Sequence, residues 1–208
     1  MRVLICGNPR SGNTLMKYLC AVGFADSEIG VKEVDPRWTD EQPATNMFYK
    51  VPHLAPEIPE MLERGYGIIF MARHPRGNWT SQLVKRKGQP IPHERAMRWG
   101  QYGRIYLRHK SEIILVRYED LVLDPNKEQK RIAEWFDLEI TVPFDECYKH
   151  GARYGGGARE LKRKIDPAKS RVMPVLNKTQ QEYFKFVVGN WPEVLEMMPE
   201  FGYGIDTF

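Results

Sequence analysis

The chain has 208 residues, of which 42% are hydrophobic, 12% aromatic and 28% charged, the balance of an ordinary globular protein and not of a disordered or fibrous one. That length is enough to bury one sizeable core, so a single domain over residues 1–208 is expected. The net charge of +4 suits an anionic ligand, whereas a nucleic-acid binder would concentrate its basic residues in a stripe interleaved with aromatics.

No apolar run reaches the ~20 residues needed to cross a bilayer, so no membrane partner is expected. The chain enters a strand at once: Val3-Leu4-Ile5-Cys6 is an apolar run without the layout of a secretory leader. Helical periodicity follows over residues 13–22. Further buried strands read out at 47–51, 68–72 and 113–116, separated by helical patterns at 55–63, 76–87 and 94–109. A helix over 125–136 starts on Asp124 as cap and Pro125 in its first turn.

The run Lys85-Arg86-Lys87 before Gly88 reads as a helix stop, with cations at the negative helix end. Residues 151–174 hold four glycines and seven lysines or arginines with little periodicity, a loop long enough to be functional or disordered. An amphipathic pattern over 178–198, rich in Phe, Tyr and Trp, is read as core packing. Strands alternating with helices predict an α/β three-layer sandwich around a mostly parallel central sheet. Cys6, Cys20 and Cys147 are odd in number and have no metal-ligand spacing, so reduced, buried thiols in a cytoplasmic protein are expected.

The segment Gly7-Asn8-Pro9-Arg10-Ser11-Gly12-Asn13-Thr14 joins the first strand to the first helix. Glycines let the backbone turn tightly, and successive N–H groups at a helix N-terminus hold an anion. Thr14 takes the hydroxyl position of a P-loop, but Asn13 stands where an ATP-cleaving loop carries its lysine, and the positive charge has moved to Arg10. Taken alone, the segment also reads, as the less favoured alternative, as a glycine turn without a ligand.

Pro9-Arg10-Ser11-Gly12-Asn13-Thr14-Leu15 resembles the 5′-phosphosulfate-binding loop of sulfotransferases that use 3′-phosphoadenosine 5′-phosphosulfate (PAPS). The run on to Met16 is most similar to the tyrosylprotein branch, and Asn13 departs from the usual Thr. Ile69-Phe70-Met71-Ala72-Arg73-His74-Pro75, with Ser81 eight residues after Arg73, resembles the family's 3′-phosphate site. A guanidinium forks onto phosphate oxygens there, and a hydroxyl near a helix start adds a donor. Leu115-Val116-Arg117-Tyr118-Glu119-Asp120-Leu121 looks like the family's Tyr-Glu-Asp-Leu segment, which implies that Tyr118 lies near the adenine. Glu119 and Asp120, adjacent on one strand, would point to opposite faces and are read as structural.

Tyr49-Lys50-Val51-Pro52-His53-Leu54 resembles the Lys-Thr-His-Leu of the cytosolic branch, with one residue inserted before the histidine. By that resemblance His53 is the catalytic base, and Glu28 or Glu33 is the competing candidate. Arg171 in the glycine-rich stretch resembles an arginine that closes over the cofactor in bacterial members.

The resemblance implies a sulfotransferase that binds PAPS, releases PAP and needs no metal. Its acceptor is a small molecule, a glycan or a peptide. Arg10 would act with His53 in the transfer. The alternatives are a noncatalytic PAP- or PAPS-binding module and a P-loop kinase or nucleotidase. No motif marks the acceptor pocket; Trp38 is a candidate acceptor contact, whereas Trp99 and Tyr102 fall at core-like helical spacing.

Overall fold

The computed structural model describes residues 1–30, 45–86, 93–151, 164–168 and 177–204. Five strands, β1 (Arg2–Gly7), β2 (Ser27–Ile29), β3 (Asn46–Lys50), β4 (Gly67–Ala72) and β5 (Ile114–Arg117), form one sheet in the order β2-β3-β1-β4-β5. Every neighbouring pair is parallel. The helices are α1 (Asn13–Gly23), α2 (Ile58–Glu63), α3 (Pro75–Lys85), α4 (His93–Arg108), α5 (Tyr118–Leu123), α6 (Pro125–Phe136), α7 (Lys178–Asn190) and α8 (Glu193–Glu200), with a 3-10 helix at Pro52–Glu57.

Alternation along the central strands supplies both faces of the core. Leu4 and Cys6 of β1, with Ile68 and Phe70 of β4, pack under Trp79, Trp99, Phe184 and Met198 from α3, α4, α7 and α8. Val3 and Ile5, with Ile69 and Met71, pack on the other side against Met16 and Leu19 of α1 and Ile132 of α6. The result is helix, sheet, helix: the three-layer α/β arrangement expected from the sequence. Trp99 and Tyr102 are buried in that core, and Cys6, Cys20 and Cys147 are buried and unpaired. None of the described helices is long and apolar enough to cross a membrane.

The strand order fixes where a ligand can sit. From β1 the chain runs out to β2 and returns through β3 on one flank of β1, then crosses to β4 on the other flank. A crevice therefore opens at the carboxyl end of β1, between β3 and β4, where open parallel sheets bind ligands.

Four expectations need correction. β2 was not legible as a strand; it is a short edge strand of polar character. The helix expected over 55–63 begins as the 3-10 helix, because Pro56 and Pro59 lack the N–H groups that regular helical bonding requires. Residues 118–123 do not prolong β5; they form α5, with Glu119 and Asp120 in the first turn, where the helix dipole favours acids. The pattern over 178–198 is two helices, separated at Trp191-Pro192.

Candidate functional site

β1 delivers Gly7 to the crevice with φ 120°, and a Cβ there would overlap the Met71 carbonyl oxygen of β4. Only glycine lets the two strands end this close together. The chain then turns on itself: the Ser11 N–H donates to the Asn8 carbonyl at 3.2 Å, and Gly12 adopts φ 90° as α1 begins. The start of α1 has no side-chain cap and no acid in its first turn. Its leading N–H groups have no intrahelical acceptor, and Gly12, Asn13, Thr14 and Leu15 all line the cleft.

The loop is braced from α3. The Asn78 amide donates to the Pro9 carbonyl (2.8 Å) and to Ser11 Oγ (3.0 Å), while Gln82 Nε2 holds Asn78 Oδ1 at 2.8 Å. Within the loop, the buried Asn13 amide donates to the Asn8 carbonyl at 2.9 Å. The Ser11 side chain thus serves the loop itself and is fully buried, away from the cleft wall. Sequence reading missed Asn78 and Gln82. Their i, i+4 spacing on one helix face, each directly before an apolar residue (Trp79 and Leu83), was the available signal.

The residues expected to bind phosphate meet across the crevice. Arg10 adopts φ 72°, a conformation that costs a non-glycine residue about 1–2 kcal/mol. Bonds at both ends of the residue offset that cost. Its Nε donates to Ser81 Oγ of α3 at 3.1 Å, and its carbonyl accepts from the Arg73 guanidinium at 3.1 Å. Arg73 in turn lies 4.3 Å from the centre of the Tyr118 ring, and that ring packs against Gly12, where a Cβ would stand 2.7 Å from Tyr118 Cδ2. Arg10, Arg73, Ser81 and Tyr118, drawn from the loop, the residue after β4, α3 and α5, are one contact network.

The cleft, about 280 Å³, is lined by Pro9, Arg10, Gly12 to Leu15, Lys50, Pro52, Arg73, Lys85 and Tyr118. Its described lining carries four cations and no carboxylate. Lys85 was read as a helix stop; the structure also places it on the cleft wall, together with Lys50 from the end of β3.

His53 lies in the first turn of the 3-10 helix and is exposed; its neighbour Pro52 lines the cleft, and His53 is not among the lining residues. Glu28 pairs in register with Met47, which pairs with Arg2, so it sits at the far end of the sheet. That is about 16 Å of strand from Gly7 at ~3.3 Å per residue. Glu33, Trp38 and Arg171, with most of the stretch 151–174, lie outside the described residues.

A second histidine lies just behind Arg73. His74 is buried, and its Nδ1 accepts the Arg76 N–H at 3.2 Å, capping α3. Burial, and then the Arg76 charge, lower its pKa to about 4, so the ring is neutral and engaged in structure. Among the described residues, no group of three His, Cys, Asp or Glu is placed to hold a metal ion.

The sequence matches no family model and no curated relative. Solved structures are similar over almost the whole chain. The sulfotransferase domain from the curacin biosynthetic pathway superposes with a TM-score of 0.64 at 16% identity, covering 97% of this chain and 97% of that one. The sulfotransferase domain of the Synechococcus PCC 7002 olefin synthase gives 0.58 at 15% identity, over 91% and 94% of the two chains. Mouse sulfotransferase SULT7A1, solved in complex with PAP, gives 0.56 at 13% identity, over 91% and 84%. The chain has the sulfotransferase fold.

Proposed function

We propose that the chain transfers a sulfuryl group from PAPS to a hydroxyl or amine acceptor and releases PAP. The observation that carries this reading is the network joining the Gly7–Thr14 loop to Arg73, Ser81 and Tyr118, because it brings the open start of α1, two arginines and an aromatic ring to one cleft, with Ser81 bonded to Arg10 although not itself on the described lining. The likeness to a sulfotransferase solved with PAP supports the same ligand.

In this reading the open N–H groups of α1 and Thr14 hold the 5′-phosphate, and Pro9, Arg10 and Gly12 to Leu15 form its cradle. Arg73 on the cleft wall, with the Ser81 hydroxyl that Arg10 holds, takes the 3′-phosphate, and Tyr118 lies against the adenine. The acceptor oxygen or nitrogen attacks sulfur in line while the bond from sulfur to the bridging oxygen breaks, and PAP leaves with that oxygen. Arg10, with further positive charge from Lys50 and Lys85, stabilises the charge that builds on it. His53 accepts the acceptor's proton, a role worth about 10²–10⁴ in rate. Protein donors meet the charge, and the reading needs no metal.

Asn13 supports this over a kinase or nucleotidase, since the position that needs a lysine is committed to bracing the loop. One observation favours the noncatalytic module: His53 stands outside the described cleft lining. Single-turnover transfer from labelled PAPS over a panel of hydroxyl and amine acceptors separates the two. Transfer that falls by about 100-fold or more in His53→Ala is the expected result. PAP binding without transfer to any acceptor would favour the module, and an unchanged rate in His53→Ala would remove His53 as the base.

A further inference from the structure

Three segments distant in the sequence meet on one carboxylate beside the cleft. Glu119, in the first turn of α5, accepts the backbone N–H of His74 on one oxygen at 3.0 Å. Its other oxygen accepts the Tyr203 hydroxyl at 2.8 Å, from the segment that follows α8. Tyr203 is buried, and its ring meets the His74 ring edge-on at 5.2 Å. Burial, and then the Glu119 charge, hold its hydroxyl protonated as a donor.

The Tyr203 segment is itself anchored twice. The Arg117 guanidinium pairs with Asp120 and donates to the Gly202 carbonyl at 2.9 Å. Phe201 packs between Phe70 and Trp99, and Trp99 Nε1 donates back to the Arg73 carbonyl at 2.9 Å. The peptide that follows Arg73 is therefore held on both sides: Trp99 takes its carbonyl and Glu119 its N–H.

Glu119 immediately follows Tyr118, and His74 immediately follows Arg73. The Glu119–His74 bond therefore spans the same gap across which the Tyr118 ring lies on the Arg73 guanidinium. A carboxylate that bonds a backbone N–H and a buried hydroxyl cannot shift without leaving both donors unsatisfied.

We propose that Glu119 is a positioning residue for 3′-phosphate recognition, setting Arg73 against Tyr118, with Tyr203 as the strut that orients its carboxylate. The proposal rests on the reading of the cleft as a PAPS site. It assigns a task to a residue that sequence reading treated as only structural.

The test is titration calorimetry with PAP and with ADP, which lacks the 3′-phosphate, on the unaltered chain, Glu119→Ala, Glu119→Gln and Tyr203→Phe. Stoichiometry reports the folded fraction, so a change in stability alone leaves the ratio of the two dissociation constants where it was. The preference for PAP is expected to drop about tenfold in Glu119→Ala and about threefold in Tyr203→Phe. Glu119→Gln should restore most of it, because its amide oxygen still accepts the His74 N–H.

A folded Glu119→Ala chain with an unaltered ratio overturns the proposal. Should that variant not fold, an unaltered ratio in Tyr203→Phe overturns it instead. Equal binding of PAP and ADP by the unaltered chain is a different failure, that of the PAPS reading itself.

Discussion

Two hollows in this molecule differ in size and in how they hold their charges. The larger, about 1160 Å³ beside β5 and α6, is lined by four cations and by four carboxylates. There Arg117 pairs with Asp120 and Arg131 with Glu128, so the cations arrive with their charge already matched. The cleft at the Gly7–Thr14 loop is about 280 Å³ and carries four cations with no carboxylate on its described lining. Its two arginines are held by neutral partners: a serine hydroxyl, a backbone carbonyl and an aromatic ring. Such partners fix a guanidinium in place without spending its charge, which stays available for an anion. The disposition of charge, and not volume, distinguishes the cleft as the proposed binding site.

That contrast can be broken at several points. Arg73→Gln should weaken PAP binding by about 100-fold, or ~2.7 kcal/mol, and ADP binding far less, because a charged fork is lost at the 3′-phosphate. Comparable losses for both ligands would place Arg73 outside the 3′-phosphate site. A smaller effect concerns the support behind the cleft. The folded-state pKa of His74, about 4, lies below the ordinary value of 6.5, so the unfolded chain binds the proton first as pH falls. Stability should be complete above about pH 7 and should decline by about 2 kcal/mol on acidification towards pH 5. His74→Asn keeps a capping acceptor for Arg76 and should flatten that slope in denaturant titrations across the same range. Smallest of all is the change in PAP affinity expected from Arg131→Gln in the larger hollow. Glu128 is buried, so the substitution leaves its carboxylate without a partner and lowers stability, while PAP affinity should not move. A clear loss of PAP affinity there would undo the contrast.

The parts legible in the sequence are those carried by local pattern. Double-faced strands such as β1 and β4 read as continuous apolar runs, and the Gly7–Thr14 loop announced itself by glycines between strand and helix. Spacing within one motif likewise placed Ser81 after Arg73, and the structure brings both to Arg10.

What stayed hidden depends on contacts between distant segments. The amide of Asn78 braces a carbonyl 69 positions away, and the hydroxyl of Tyr203 reaches a carboxylate 84 positions away. No periodicity encodes either bond. β2 was missed because Ser27-Glu28-Ile29 is short and sits at a sheet edge, where burial imposes little alternation. α5 was missed because Tyr118 to Leu123 follows β5 without a break, and Arg117 caps the helix with backbone alone.

The central claim is that the loop, Arg73, Ser81 and Tyr118 form one site for a nucleotide bearing a 3′-phosphate. Competitive titration of the unaltered chain with PAP, ADP and ATP tests it most directly. The account predicts that PAP binds at least about tenfold more tightly than either of the others, with no dependence on added magnesium. Equal affinities, or ATP binding that requires magnesium, would contradict it.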